Sequence, residues 1–260
     1  MNDPELLKLT ILGLIYVVLF SLEIYLPHFQ NRQHHFSHSL RNLSLAVINA
    51  TFTSVFSLVV IKQIFTWTIA NNLGLLNTAD LPPIITFLIA ILLIDCWQYI
   101  WHRANHVIPI LWRFHQVHHS DTEMDASTAL RFHPIEIIYS NIARIAIIPI
   151  LGIQLEHLIA YEIILLPIIL FHHSNIKLSN RLDTLMRIIL VTPHMHRLHH
   201  SDISNETDSN YSSVFSVWDR VFSSFTMRSI EKDFNLGLGG KFKNSEWNRF
   251  TGMLVIPFRN

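Results

Sequence analysis

Hydrophobic residues fall into long, nearly uninterrupted runs along the chain, and polar residues collect between them. The first three runs occupy residues 6–26, 43–70 and 84–101. A helix needs about 20 predominantly apolar residues to cross the hydrocarbon core of a bilayer. The pattern therefore predicts three transmembrane helices in the N-terminal part of the chain.

Two further apolar runs, residues 135–153 and 158–171, follow in the second half of the chain. The second run is short for a full crossing, so the pair is predicted to form a helical hairpin that is fully or partly inserted in the membrane. In either case the chain leaves and returns on the same side. Arg144 and Glu162 lie in this hairpin. We expect them to form an ion pair or to reach the interface, because a charge inside a bilayer is costly.

The composition also indicates a membrane protein. Half of the 260 residues are hydrophobic and 15% are charged, whereas roughly a quarter are charged in soluble domains. The formal net charge is zero, so nucleic acid is not an expected partner. Cys96 is the only cysteine, which excludes an intramolecular disulfide and a cysteine-rich zinc site. Asp3 and Glu5 do not fit the basic start of a cleaved signal peptide, so the first run is expected to remain as a helix.

The loops indicate which side of the membrane the helix ends face. The loop at residues 27–42 contains Arg32 and Arg41, whereas the loop at residues 71–81 has neither lysine nor arginine. The positive-inside rule places the first loop in the cytosol. The third helix then also ends on the cytosolic side, and it delivers His102 there.

These patterns predict an all-α, polytopic membrane protein with about three transmembrane helices, a helical hairpin and a cytosolic, histidine-rich helical cap. Residues 1–101 would form the transmembrane helices. Residues 102–260 would form a cytosolic catalytic region that includes the membrane-inserted hairpin at 135–171. The polar tail from residue 201 onward would belong to the cap.

Seventeen histidines are present, and many have the spacing of metal ligands on helices. Neutral imidazole is a common ligand of iron, zinc, copper and nickel, and helix positions i, i+3 and i+4 share one face. Eight imidazoles in three groups exceed what one tetrahedral ion uses, so we predict a two-metal site at the membrane surface. The three groups are His102 with His106, His115 with His118 and His119, and His196 with His199 and His200.

A polar face runs along the end of the third predicted helix. Asp95, Tyr99, His102 and His106 fall within about a 60° arc of one helix. Ionisable groups in such a place are candidates for a functional role. We expect Asp95 to accept the second N–H of a ligand histidine, which would fix the tautomer of that ring. Asp95 and Tyr99 are therefore candidate catalytic-site residues beside the metals.

Several motifs follow one another between residues 95 and 222. They are WHRANH at 101–106, LWRFHQVHHS at 111–120, ALRFHPIE at 129–136, FHHSN at 171–175, TPHMHRLHHS at 192–201, NY at 210–211 and WDRVF at 218–222. These motifs resemble those of the membrane-bound fatty acid hydroxylase superfamily, which includes sterol desaturases, sterol hydroxylases and alkylglycerol monooxygenases. Their order and spacing cover about half of the chain and are specific to that family. One such domain would occupy about residues 84–226.

The resemblance implies a histidine-ligated centre of two iron ions that uses O2 to hydroxylate or desaturate a C–H bond of a lipid or sterol. It implies the eight clustered histidines and His173 as ligands. His172 or His133 would supply a further ligand, with both left open. The remaining histidines of the first loop (His28, His34, His35 and His38), with His157 and His194, are not expected to be ligands. We expect the four loop histidines to be solvated or to lie at the membrane interface.

The same resemblance implies a multi-pass protein of the bacterial inner membrane or the endoplasmic reticulum, with its active site on the cytosolic side. Electrons would come from an external donor, because the chain has no flavin or nicotinamide fingerprint. A reductase with a ferredoxin or a b-type cytochrome is the expected partner.

Three other functions fit parts of the pattern. Histidine pairs could hold haem in a membrane cytochrome, although haem would leave most of the clusters unexplained. A zinc-dependent membrane hydrolase would require a general base, commonly the Glu of HExxH, and neither HxxHH motif contains it. A metal sensor or transporter ranks last, because transport sites usually lie near the bilayer midplane.

Overall fold

Helices form all the regular secondary structure of the described residues in the computed structural model, which are 4–30, 35–230, 234–239 and 245–259. This confirms the predicted all-α class. Three short 3-10 helices supplement the α-helices, at Ala126–Leu130, Ser245–Asn248 and Ile256–Phe258. The α-helices are α1 (Pro4–Tyr25), α2 (His35–Ala70), α3 (Leu75–Thr78), α4 (Pro83–Val107), α5 (Pro109–His119), α6 (Pro134–Leu151), α7 (Leu155–His173), α8 (Asn180–Met186), α9 (Pro193–His199), α10 (Ser204–Thr207), α11 (Val217–Val221) and α12 (Phe250–Val255).

The helices α4, α6 and α7 are each long and apolar enough to cross a membrane. Apolar side chains such as Leu88, Ile142 and Ile163 are exposed on them, as expected for helices that contact lipid. The third predicted span and both arms of the hairpin therefore form as helices. In α1, the described apolar stretch is shorter, Thr10–Tyr25.

Two helices extend beyond their apolar runs. The second arm of the hairpin, α7, has 19 residues, so it is long enough for a full crossing, contrary to the expectation from its apolar run alone. The polar residues at both of its ends continue the helix. The helix α2 begins at His35, so His35 and His38 lie in its first turns and not in the loop. Arg32 and His34 lie outside the described residues.

Prolines and glycines set the turns that bring the helices together. Pro109 starts α5 directly after α4, and Ile108 between them is extended, because a residue before proline disfavours the helical conformation. At the other end of the bundle, Gly74 and Gly152 both have positive φ. A Cβ on Gly74 would lie 2.1 Å from the backbone nitrogen of Gly152. The turn before α3 therefore packs directly on the tip of the hairpin.

The apolar core lies between α4, α6 and α7. Ile94, Ile148 and Leu165 pack in it. Within the hairpin, Arg144 Nη1 lies 3.3 Å from Glu162 Oε1, so the structure shows the ion pair, one of the two arrangements expected for these charges.

The C-terminal part packs against the first half of the chain. Trp247 is buried and packs with Leu45 of α2 and Val117 of α5. The guanidinium of the fully buried Arg131 donates to the carbonyls of Val117 and Trp247. These contacts hold the C-terminal part against α2 and α5. Nearby, the ends of α4, α5, α7 and α9 meet in one enclosed region.

Candidate metal centre

Nine histidines meet where α4, α5, α7 and α9 converge. Their ligand nitrogens form overlapping groups in which all members lie within 4.8 Å of one another. The first group is His102, His106, His115 and His119; the second is His118, His173, His196 and His200; and the third is His119, His199 and His200. All eight clustered histidines and His173 are therefore brought together, although 98 positions separate the first from the last.

Helical spacing explains how the first group is assembled. His102 and His106 are one turn apart on α4, and His115 and His119 are one turn apart on α5, which packs against α4. The rings of His106 and His119 meet at nearly a right angle, with their centroids 4.6 Å apart. His118 points to the second group instead. The HxxHH motif thus divides its rings between two groups.

The second group combines α5 with α7 and α9. His118 Nε2 lies 3.1 Å from His173 Nε2, and His196 Nε2 lies 2.9 Å from the same atom. His199, from the same helix as His196, instead faces α4, with its Nε2 3.1 Å from His102 Nε2. The repeated HxxHH motif of α9 is therefore divided between the groups in the same way.

Backbone carbonyls hold three of these rings by their outer nitrogens. Nδ1 of His102 lies 2.7 Å from the carbonyl of Tyr211, and Nδ1 of His199 lies 2.6 Å from that of Ser209. Nδ1 of His173 lies 2.7 Å from the carbonyl of Ile169. A carbonyl only accepts hydrogen bonds, so each Nδ1 carries the proton and each Nε2 presents a lone pair. Sequence patterns do not reveal such backbone partners.

Glu136 performs the same task for His115. Its Oε1 lies 2.6 Å from His115 Nδ1, and the carboxylate is buried at the first turn of α6. Glu136 is the last residue of the ALRFHPIE segment. That segment supports the family resemblance, but the sequence alone does not assign a role to Glu136. A carboxylate on the outer nitrogen of an imidazole increases its strength as a ligand.

The contact between His102 and His199 indicates a cation. Both Nδ1 atoms are occupied as donors, so two unprotonated Nε2 atoms face each other at 3.1 Å. Neither can donate to the other, and two lone pairs at that distance repel. A shared metal ion resolves the conflict. With metal–nitrogen bonds of about 2.1 Å, neighbouring ligands at right angles lie about 3.0 Å apart, close to the observed separation.

Many other ring nitrogens at this centre have no hydrogen-bond partner although they are buried. Buried polar atoms almost always have a hydrogen-bond partner. So many buried imidazole nitrogens without one, all at one centre, are expected if these nitrogens bind metal ions. The residues present therefore suit a site for two metal ions. The unpartnered atoms are both nitrogens of His106, His119 and His200, Nε2 of His115, and Nδ1 of His118, His172 and His196.

The electrostatics of the site favour neutral imidazoles. Burial, followed by the charge of neighbouring histidines, holds the pKa values of His118, His119, His196 and His200 well below their usual range. Burial also lowers the pKa of His199 to about 3, against a smaller opposing effect of its bond to the carbonyl of Ser209. Neutral imidazole is the form that binds metals.

Asp95 and Tyr99 do not have the expected position beside a ligand. Asp95 is buried in the helical core, where its carboxylate accepts hydrogen bonds from Tyr161 Oη, the backbone N–H of Phe215 and Trp218 Nε1. The expectation of a histidine partner is therefore wrong. Its face of α4 is polar because it joins α4 to α7 and to the segment around α11.

Tyr99 has a similar structural environment. Its hydroxyl lies 2.8 Å from Ser224 Oγ, and its ring stacks on Phe222. Its hydrogen bond thus joins α4 to the segment after α11. Asp95 and Tyr99 therefore make the polar face of α4 a site of tertiary contacts, and they precede His102 and His106 on the same helix.

The two candidates for a further ligand differ. His172 is buried, with its ring centroid 4.0 Å from that of His196 and Nδ1 unpartnered. His133 instead caps α6 by accepting the N–H of Ile135 at Nδ1, and its Nε2 faces the carbonyl of Leu254. The structure brings His172 to the centre but not His133.

The other histidines lie outside the nine-histidine centre. His157 caps α7 through the N–H of Gln154, at the hairpin tip, and His194 Nε2 bonds the carbonyl of Arg228. The N–H of His28 donates to the carbonyl of Asn175.

A second assembly of ionisable residues lies where the end of α1, the start of α2 and the turn after α5 meet. Glu23, His35, His38, Asp121 and Asp125 form it, and we call it the carboxylate cluster. His35 and His38 were expected to be solvated or interfacial, yet His38 is buried between Asp121 and Asp125. That expectation is wrong for His38, because α2 begins at His35 and turns this ring inward.

A cavity of about 210 Å3 adjoins the histidines and extends between α4, α6 and α7. His102, His118 and His173 line one end of it. The rest of the lining combines apolar side chains, including Trp97 and Leu166, with a few polar ones such as Arg144. The metal centre therefore faces a mainly apolar space among helices that are suited to the membrane.

Comparisons with known proteins agree with these observations. Alkylglycerol monooxygenase of Danio rerio is 32% identical over 156 residues, which cover 58% of this chain and 33% of that protein. The Homo sapiens alkylglycerol monooxygenase is 32% identical over 145 residues, 54% of this chain and 30% of that protein. Ornithine lipid hydroxylase OlsE of Rhizobium tropici is 26% identical over 178 residues, 68% of this chain and 51% of that protein.

The matched part thus spans about a third to a half of the length of these curated relatives. No solved structure matches the chain. The family model for fatty acid hydroxylase matches residues 87–224, which is more than half of the 260 residues and includes all nine histidines. The predicted resemblance is confirmed: the chain belongs to the fatty acid hydroxylase family.

Proposed function

We propose that this chain is an O2-dependent oxidoreductase that hydroxylates a C–H bond of a membrane lipid at two iron ions. Nine histidines would hold the ions, and His172 is the candidate for a further ligand. The observation that carries the proposal is the facing pair of unprotonated Nε2 atoms on His102 and His199, within an assembly of buried imidazoles at the end of an apolar cavity.

The donor set suits iron chemistry. Imidazole binds iron well, and iron, when bound, supplies the oxidising power that an unactivated C–H bond requires and that no side chain provides. The chain itself contributes position. The carbonyls of Tyr211, Ser209 and Ile169 and the carboxylate of Glu136 fix four imidazoles with Nε2 inward.

The cavity supports a lipid substrate. Trp97, Ile137 and Leu166 line it from three helices that are long enough to span a bilayer, so an acyl or alkyl chain can enter from the membrane without crossing water. Burial of the histidines excludes water from the reacting region. The relatives named as an alkylglycerol monooxygenase and an ornithine lipid hydroxylase support hydroxylation over desaturation.

The electron supply and the orientation of the protein extend the same proposal. Two electrons per turnover would come from an external reductase with a ferredoxin or a b-type cytochrome. The histidine centre would lie on the cytosolic side of the membrane, as the basic residues Arg32 and Arg41 between the first two apolar runs indicate.

A haem protein is less well supported. The ring centroids of His119 and His200 lie 4.4 Å apart, and those of His118 and His200 lie 4.6 Å apart. These contacts leave no space for a porphyrin between the rings. A zinc hydrolase would use the same ligands but would not consume O2, so the test of the proposal separates the two.

The direct test compares lipids from cells with and without the chain by mass spectrometry, with and without O2. Hydroxylation adds the mass of one oxygen, and desaturation removes that of two hydrogens. A chain with His118→Ala serves as the inactive control. The absence of any O2-dependent lipid product under conditions in which the wild-type chain contains iron would contradict the proposal.

A further inference from the structure

Three members of the carboxylate cluster converge on one point. Glu23 comes from the end of α1, His35 from the start of α2, and Asp125 precedes the 3-10 helix after α5. His35 Nε2 lies 3.3 Å from Glu23 Oε2 and 3.5 Å from Asp125 Oδ2. The side chains of Glu23 and Asp125 are 1% exposed, and that of His35 is 18% exposed. The three ligand atoms thus form a small enclosed triangle.

Backbone contacts aim Glu23 at this point. Its Oε1 accepts the N–H groups of Ala126 at 2.8 Å and Asn175 at 2.7 Å. Its Oε2 is therefore turned toward His35, and it is buried without a hydrogen-bond partner. His35 Nε2 is also buried and makes no hydrogen bond, although Glu23 Oε2 and Asp125 Oδ2 lie at ion-pair distances of 3.3 and 3.5 Å from it. A buried carboxylate oxygen without a hydrogen bond is costly, so a cation between these atoms would satisfy Glu23 Oε2 and His35 Nε2 together.

The charges of the cluster also favour a cation. His38 contacts Asp125 through Nδ1 at 2.9 Å and Asp121 through Nε2 at 2.8 Å, so it satisfies carboxylates on both sides and is held as an imidazolium. This charge serves Asp121 and Asp125 Oδ2, which is the same oxygen that faces His35. It does not reach Glu23 Oε2, whose nearest basic partner among the described residues is His35.

The distances match metal coordination. Ligands about 2.1 Å from a tetrahedral ion lie about 3.4 Å from one another, which is between the two distances at His35 Nε2. One imidazole and two carboxylates form a mixed nitrogen and oxygen donor set, which suits zinc and related first-row ions; magnesium and calcium prefer oxygen alone.

We propose that Glu23, His35 and Asp125 bind a further divalent ion of the zinc class, separate from the nine-histidine centre. This ion has a structural role. It joins α1 and α2 to the turn after α5, and through Glu23 it is linked to Asn175, two residues after His173. The ion therefore holds the segment after α5, which follows His118 and His119, and the segment after α7, which follows His173. It does so without contacting those histidines.

The test is the metal content of the whole chain, purified in detergent from cells grown with added zinc and measured by elemental analysis. Glu23→Gln and His35→Ala should each lower the total by one metal equivalent per chain. Glu156→Gln, which removes an exposed carboxylate from α7, is the matched control and should leave the content unchanged. Unchanged content in both cluster variants would overturn the proposal, because a protonated His35 paired with the two carboxylates binds no metal.

A chain with both His118→Ala and His199→Ala separates this site from the proposed function. It should lose metal from the histidine centre but retain one zinc whose X-ray absorption shows mainly oxygen ligands with one imidazole. If no such zinc remains, the site does not exist. This measurement also applies if Glu23→Gln or His35→Ala prevents folding. Failure of the chain to oxidise lipid would leave these outcomes unaffected.

Discussion

The nine-histidine centre and the carboxylate cluster are two separate assemblies of buried ionisable residues, and they satisfy buried polar groups in different ways. In the histidine centre, burial keeps imidazoles neutral, and their lone pairs face one another. In the carboxylate cluster, burial alone would raise the pKa of Asp121, but His38 and Arg131 outweigh it and hold that pKa well below its usual range. The first region therefore offers lone pairs that suit metal cations, while the second already holds much of its charge balance in the protein.

The difference shows how each region contributes to the protein. The histidine centre adjoins the apolar cavity, so its metals would meet a substrate. The carboxylate cluster is tied to backbone amides and to α1 and α2, so it supports position. Variants that affect one region and spare the other test this division.

The largest expected effect comes from removing a central ligand. His118→Ala or His199→Ala should abolish lipid oxidation and release iron, because each ring faces ligands on two other helices. The protein should remain in the membrane, since neither side chain belongs to the apolar helices. Iron content and lipid products of the purified variants check this. Full turnover with full iron in either variant would remove that residue from the ligand set.

Acid should act strongly on the histidine centre. A histidine whose pKa is lowered by folding binds fewer protons in the folded state, so its stability contribution is present above the unfolded pKa of about 6.5 and is lost as pH falls below it. For His118, His119, His196 and His200 the sign is the same. The thermal midpoint and the iron content should both fall between about pH 6.5 and 5. A midpoint that stays constant over that range would contradict the assignment.

Glu136→Gln should have an intermediate effect. The amide is a weaker acceptor for His115 Nδ1, and losing such a partner typically costs about 10- to 100-fold in metal affinity or activity. Iron affinity and the rate of lipid oxidation should fall together. Glu156→Gln is the matched control. Wild-type values in Glu136→Gln would show that the contact at 2.6 Å does not orient the ligand.

Asp95→Asn should have the smallest effect on the chemistry, because Asp95 contacts neither region. Its amide oxygen can still accept from the N–H donors of Phe215 and Trp218, but its NH2 group cannot accept from Tyr161 Oη, which leaves that hydroxyl unpaired at a cost of about 2 kcal/mol in stability. The thermal midpoint should drop while iron content stays at the wild-type value. A selective loss of iron without a loss of stability would return Asp95 to the metal site.

The sequence predicted the histidine centre well because its ligands repeat at helical intervals. His102 with His106 and the two HxxHH motifs are recognisable within single helices, and the apolar runs predicted α4, α6 and α7. The sequence did not predict which histidines of different helices face one another. The HxxHH motifs did not reveal that His118 would turn to His173 while His115 and His119 turn to α4, because that depends on the angle between α4 and α5.

The carboxylate cluster was not predicted, for a related reason. Glu23 and Asp125 are 102 positions apart, and no local spacing connects them. The first apolar run contained Glu23 as its one acidic residue near the end, which was the only local signal. Asp95 shows the opposite error: its polar face was real, but hydrogen bonds to Tyr161 and Trp218 explain it and metal support does not.

Iron X-ray absorption on the purified wild-type chain tests the central claim most directly. The account predicts about two irons per chain, each with a first shell dominated by imidazole nitrogen at about 2.1 Å. Replacement of His199 by Ala should reduce the imidazole contribution. A chain that contains no iron, or iron surrounded mainly by oxygen or porphyrin nitrogen, would contradict the account.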